Sequence, residues 1–191
     1  MKKETYVVLD IETTGLSKHH HKITEIAAVK VQNNKILKEF STLINPEVKI
    51  PSFITSLTGI NNKMVKNSPT IEEVIPKFMK FLGKNPFVAH CATFDYGFLK
   101  HNAQQHLSIE LTNSKICTAK LSRRLVPELT SHKLSSLCEH FKIENNLAHR
   151  AISDVHATNQ IFTNLLNILE KNKINERQQI LTFQDSRISR I

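Results

Sequence analysis

The chain of 191 residues carries 26 Lys+Arg against 17 Asp+Glu, a formal net charge of +9, with 40% hydrophobic and 23% charged residues; this is the profile of one soluble domain whose basic excess attracts polyanions. The apolar run at residues 6–9 is cut short at Asp10, too early for a signal peptide's hydrophobic segment, and no stretch approaches the length of a membrane span. Cys91, Cys117 and Cys138 are widely spaced with no C-x-x-C pair, which argues against a disulfide framework or a cysteine-rich zinc site and fits a reducing cytoplasm.

The first predicted strand, residues 5–12, is β-branched and apolar and ends at the turn Thr13-Thr14-Gly15. Residues 23–31 and 35–44 read as two more strands joined by a tight turn at Asn33-Asn34, giving an antiparallel meander. The run His19–His21 lies between the first two strands and reads as a solvated loop. Pro51 opens a short helix carrying Phe53, Ile54 and Leu57, which Thr58-Gly59 stops. Thr70 and Glu73 have capping-box spacing ahead of the apolar positions Ile71, Val74, Ile75, Phe78, Phe81 and Leu82, and Pro76 is expected to kink that helix or shift its start. Residues 86–90 form a short buried-type strand, followed by a helix from about Ala92, a strand near Ile116-Cys117 and a helix containing Leu121 and Leu125. Helices over 133–141 and about 151–170 complete the pattern. An antiparallel meander followed by alternating strands and helices predicts an α/β domain with a mixed sheet. The domain spans residues 1–173, and 174–191 reads as a basic, polar tail.

Asp10 and Glu12 stand two apart in the first strand, so both project from one face. Like charges side by side repel, and a divalent cation would resolve the repulsion; two solvated acids at a strand end are the alternative. Asp95 opens a helix, where an acid commonly caps, and Asp154 lies in the first turn of the last helix, where an acid suits the dipole. His149, five residues before Asp154, belongs on the loop entering that helix. Strand ends and helix starts are where an open α/β sheet places its ligand crevice.

The segments VVLDIETTGL (7–16), VAHCATFDYGFL (88–99) and AHRAISDVHAT (148–158) resemble, in order and spacing, the three exonuclease motifs of the DEDDh family, which includes the proofreading epsilon subunit of bacterial DNA polymerase III. The likeness extends over residues 5–170, through 23–31, 56–65 and 133–143. It implies an RNase H-like fold with a mixed five-stranded sheet, and a 3′–5′ exonuclease releasing nucleoside 5′-monophosphates. It also implies two divalent cations, Mg²⁺ or Mn²⁺, held by Asp10, Glu12, Asp95 and Asp154, with His149 as general base; an imidazole titrates near neutrality, about 6.5 when unperturbed. Substrate contacts are implied for Thr13, Thr14, Gly15, Leu16, His90 and Phe94, with simple core packing as the alternative for Leu16.

In the second motif Cys91 stands where asparagine is common and Ala89 where glycine is common, which predicts altered substrate contacts rather than lost chemistry. The expected partner is a single-stranded 3′ end, DNA in a proofreading or repair setting; RNA trimming and an inactive nucleic-acid-binding module are the alternatives. Gln178, Leu181 and Phe183 resemble the short Gln-x-x-Leu-x-Phe peptides that dock on a sliding clamp, so a polymerase subunit or clamp is a candidate partner; packing against the domain is the alternative.

Overall fold

A computed structural model describes residues 4–186. Strand β1 (Thr5–Thr13) is the centre of a five-stranded sheet with order β3-β2-β1-β4-β5. It pairs antiparallel with β2 (Ile23–Gln32), which pairs antiparallel with β3 (Lys35–Leu43). On its other side β1 pairs parallel with β4 (Phe87–Ala89), and β4 with β5 (Lys115–Cys117). This is the mixed sheet that the strand pattern predicts, and the RNase H-like, five-stranded one that the family resemblance implies. Asn33 and Asn34 both have positive φ, 53° and 60°, as a tight turn matching the strand twist requires.

The two faces of the sheet bury different helices, because alternate residues of each strand point opposite ways. Val7, Leu9 and Ile11 pack with α3 (Ile71–Leu82) and α4 (Thr93–Leu107). Tyr6 and Val8 pack with α5 (Thr118–Leu125), α6 (Leu134–Phe141) and α7 (Ala151–Lys171). Helix α7 buries Val155, Ile161, Phe162, Leu165 and Leu169 against that face; each such side chain contributes about 1.5–3 kcal/mol of burial. Two short helices, α1 (Ser52–Thr58) and α2 (Asn62–Val65), cross between β3 and α3.

Two helices follow the sequence pattern with added detail, and one element departs from it. Helix α3 starts at Ile71 under the expected Thr70–Glu73 capping box and runs through Pro76, so the proline does not displace its start; the burial of Val74, Ile75, Phe78 and Leu82 offsets the lost hydrogen bond. In α1 only Ile54 and Thr58 are buried, while Phe53 and Leu57 are 66% and 52% exposed. The stretch that reads as a tail carries helix α8 (Arg177–Asp185), with Ile180 and Gln184 buried and Leu181 and Phe183 packed against the α5–α7 core.

Candidate active site

β1 delivers the first two acids. Asp10 and Glu12 continue the side of the strand to which Val8 belongs, so both point toward α7. A register shift between Glu12 and Thr13 ends the regular pairing with β2, and such a bulge re-aims a strand at a sheet's rim. The third acid comes from the opposite face. β4 ends at Ala89, and the chain turns through Cys91 at φ 60° into α4, whose first turn carries Asp95. Asp95 is buried, and its Oδ1 accepts the Ile11 backbone N–H at 3.3 Å, which pins α4 to β1 between the two strand acids. Cys91 is exposed beside it; a left-handed backbone suits asparagine better than cysteine, a physical reason for asparagine to be common at this position.

The fourth acid lies in the first turn of α7. Asp154 Oδ1 accepts from Asn145 Nδ2 at 2.6 Å, and Oδ2 accepts the His149 backbone N–H at 3.1 Å. Ser153 Oγ donates to Asn145 Oδ1 at 2.5 Å. His149 sits on the loop entering α7, as its spacing from Asp154 predicts, exposed and with φ 65°. Ligand atoms of Asp10, Glu12 and Asp154 lie within 4.8 Å of one another.

These acids are gathered at electrostatic cost. Burial, then the charges of Asp95, Glu12, Asp154 and Glu25, hold the Asp10 carboxyl well above its ordinary range. Burial followed by Asp154 and Glu25 pushes Glu12 up to about 8, with Arg150 opposing. Burial raises Asp95 to about 7 against the backbone N–H groups that favour its charged form. Asp154 is raised by burial, offset in part by its bonds to Asn145 and His149. A cluster of hard oxygen donors that cannot all ionise unaided fits divalent cations such as Mg²⁺ or Mn²⁺.

Three residues outside the predicted set complete this site. Glu25 stands directly across from Glu12 in the β1–β2 register and is only 2% exposed. It accepts from Arg150 Nε at 3.2 Å, Arg150 Nη2 at 2.8 Å and the Ala151 N–H at 3.0 Å, so one carboxylate holds the start of α7 against β2. Its signal was present in the sequence: an acid within the apolar run ITEIAAVKV demands a buried partner. Asn145, the third, has no such signature, because its role arises only where its loop meets Asp154.

The residues expected to contact substrate fall in two places. Thr13 and Thr14 are buried and build a turn: Thr13 Oγ1 donates to the Gly15 carbonyl at 2.7 Å, and Thr14 exchanges hydrogen bonds with the Lys22 backbone at 2.8 and 3.0 Å. The His21 ring lies against Gly15 so closely that a Cβ there would overlap it, and its Nδ1 accepts the Ser17 N–H at 3.1 Å. His21 thus braces the turn rather than standing free in solvent. Leu16, at its tip, is 85% exposed and packs in no core; with Phe94 it lines a cavity of about 320 Å³ on the α4 side. His90 lies on the other side, in a cavity of about 540 Å³ that also takes in His149 and Asp154. Its Nδ1 is 2.9 Å from Thr118 Oγ1, and burial, with Arg123 adding to it, lowers the imidazole to about 4.

Residues 7–162 match the family model described as "Exonuclease". The chain is 46% identical over 166 residues to a DNA polymerase III of PolC type from Caldanaerobacter subterraneus subsp. tengcongensis, 87% of this chain but 12% of that polymerase. It is 39% identical over 162 residues to the DNA polymerase III subunit epsilon of Aquifex aeolicus, covering 85% of this chain and 80% of that subunit. Among solved structures, exonuclease X in complex with 5′-overhanging duplex DNA superposes with a TM-score of 0.70 at 28% identity, over 94% of this chain and 99% of that one. E. coli exonuclease I in complex with a dT13 oligonucleotide superposes at 0.79 over 90% of this chain and 43% of that one; at 17% identity it attests the shared fold.

Proposed function

The chain belongs to the exonuclease family, and from that premise we propose that it degrades DNA from the 3′ end, one nucleoside 5′-monophosphate at a time, in a proofreading or repair setting. The observation that carries this reading is the convergence of Asp10, Glu12 and Asp154 within 4.8 Å, with Asp95 bonded to β1 between the two strand acids. The four carboxylates would hold two divalent cations, which when bound supply Lewis-acid activation of water and charge stabilisation at the phosphate. His149 is the proposed general base: it is exposed at the rim beside Asp154, on a loop whose backbone that acid holds. The turn at residues 13–16, Phe94 and His90 would position the end of the strand. DNA is favoured over RNA by the polymerase III relatives, and the epsilon likeness favours a replication partner. As for Gln178, Leu181 and Phe183, the seat of α8 on the core supports packing for the two apolar residues, so clamp docking would require α8 to detach.

The test offers 3′-labelled single-stranded, mismatched-duplex and RNA substrates to the protein with Mg²⁺ or Mn²⁺. Mononucleotide release from DNA is expected, faster from frayed than from paired ends. Asp10→Ala should lose more than the ~10–100-fold that removal of an outer partner costs a metal site. A folded protein that releases no mononucleotide, or an equally active Asp10→Ala, overturns the proposal.

A further inference from the structure

The cavity of about 540 Å³ beside His149 and Asp154 extends away from the acids past His90 to Arg123, His132 and Lys133. It opens on the α5–α6 side of the sheet, whereas the smaller cavity under Leu16 and Phe94 opens on the α4 side. The acidic cluster reaches the larger cavity through Asp154, while Leu16 and Phe94, expected to contact the end of the strand, line the smaller one. A strand whose end sits at Leu16 and Phe94 therefore has the larger cavity as a way out.

The chemistry of the larger cavity suits a polyanion. Apart from Asp154 at the site itself, no acid lines it. Arg123 and Lys133 are exposed, and neither takes part in the ion pairs found among the described residues. Arg123 Nη1 donates to the Ala119 carbonyl at 3.3 Å, which leaves the rest of its fork to solvent. Lys133 sits at the N-cap of α6, where the helix dipole disfavours a cation, so helix stability does not explain it. His132 is tethered to Ser122, 3.1 Å from its Nδ1, between the two cations in the chain's path from α5 to α6.

We propose that this cavity is a phosphate-binding groove for the strand being cut, in which Arg123 and Lys133 hold the backbone on the 5′ side of the scissile bond. The assignment rests on the exonuclease reading. A cluster of four carboxylates repels an approaching phosphodiester chain, and two cations along the exit path offset that repulsion where the next phosphates pass. Because they touch the strand beyond the reacting phosphate, they act on oligonucleotides and not on the chemistry itself.

The experiment compares the full chain with Arg123→Gln/Lys133→Gln on two substrates, a single-stranded DNA octamer and the p-nitrophenyl ester of thymidine 5′-monophosphate, which has no backbone beyond the scissile bond. The variant is expected to raise KM for the octamer about tenfold, with kcat nearly unchanged, and to keep kcat/KM on the ester within about twofold. Binding of the labelled octamer in EDTA should show a slope of log Kd against log salt smaller by about 1.4, at ~0.7 for each single-strand phosphate that the variant no longer neutralises. Equal loss on both substrates would place the cations at the reacting centre and overturn the proposal. So would unchanged octamer kinetics. A wild-type chain that cleaves neither substrate sinks the exonuclease reading as well, which the variant comparison alone cannot do.

Discussion

At the level of single residues, the site is held in a state that its own charges oppose. Glu12 moves from an ordinary value of 4.5 to about 8, and Asp10 is raised with it by burial and by its acidic neighbours. A carboxyl with a raised folded-state value binds more protons folded than unfolded, so the metal-free protein loses stability as pH rises from near 4.5 toward about 8. Removing one of these charges should relieve that loss. Asp10→Asn is expected to raise the melting temperature in EDTA by several degrees at pH 8 and by little at pH 5, where ~1 kcal/mol corresponds to about 2–4 °C for a chain of this size. Calorimetry at both pH values checks it, and a variant no more stable than wild type at pH 8 would count against the electrostatic account. Adding Mn²⁺ should stabilise the wild type and narrow the gap, since an ion that binds only the folded state shifts the equilibrium toward it.

Between elements, the link that matters most is the one from β2 to α7. Asp154 and the loop bearing His149 depend on where α7 begins, and the Glu25 carboxylate fixes that point through Arg150 and the Ala151 N–H. An acid at a helix N-terminus also suits the dipole. Arg150→Ala leaves Glu25 buried without its cation and should cost about 3 kcal/mol; Glu25→Gln, which keeps a neutral acceptor, should cost less. Both should lower kcat about 10–100-fold, as loss of a group orienting metal ligands does. Urea unfolding and single-turnover rates separate the two effects. Equal stabilities, or an unchanged rate in Arg150→Ala, would show that α7 is placed by its apolar face alone. This link was half legible in the sequence: Glu25 stands out in an apolar strand, but its partner lies 125 residues away, beyond any periodicity.

For the molecule as one body, α8 covers one of the two edges of the sheet. β5 is an edge strand, and the Gln184 side chain accepts the Cys117 N–H at 2.9 Å and donates to the Lys115 carbonyl at 2.8 Å, as a neighbouring strand would. Gln184→Ala should cost about 1–3 kcal/mol, because it leaves those two backbone groups unpaired; denaturant unfolding measures it, and a cost near zero would mean that solvent already reaches the edge. The strands, the main helices and the two acids that share a face of β1 were legible in the amino-acid order, since side-chain periodicity along one chain sets all of these. The same order carried the motifs in which Asp95, His149 and Asp154 lie. The seat of α8 on β5, the support that Glu25 and Asn145 give the acids, and the basic cavity beside Asp154 came from the folded chain alone. Those features join segments far apart in sequence, and folding, not local pattern, brings them together.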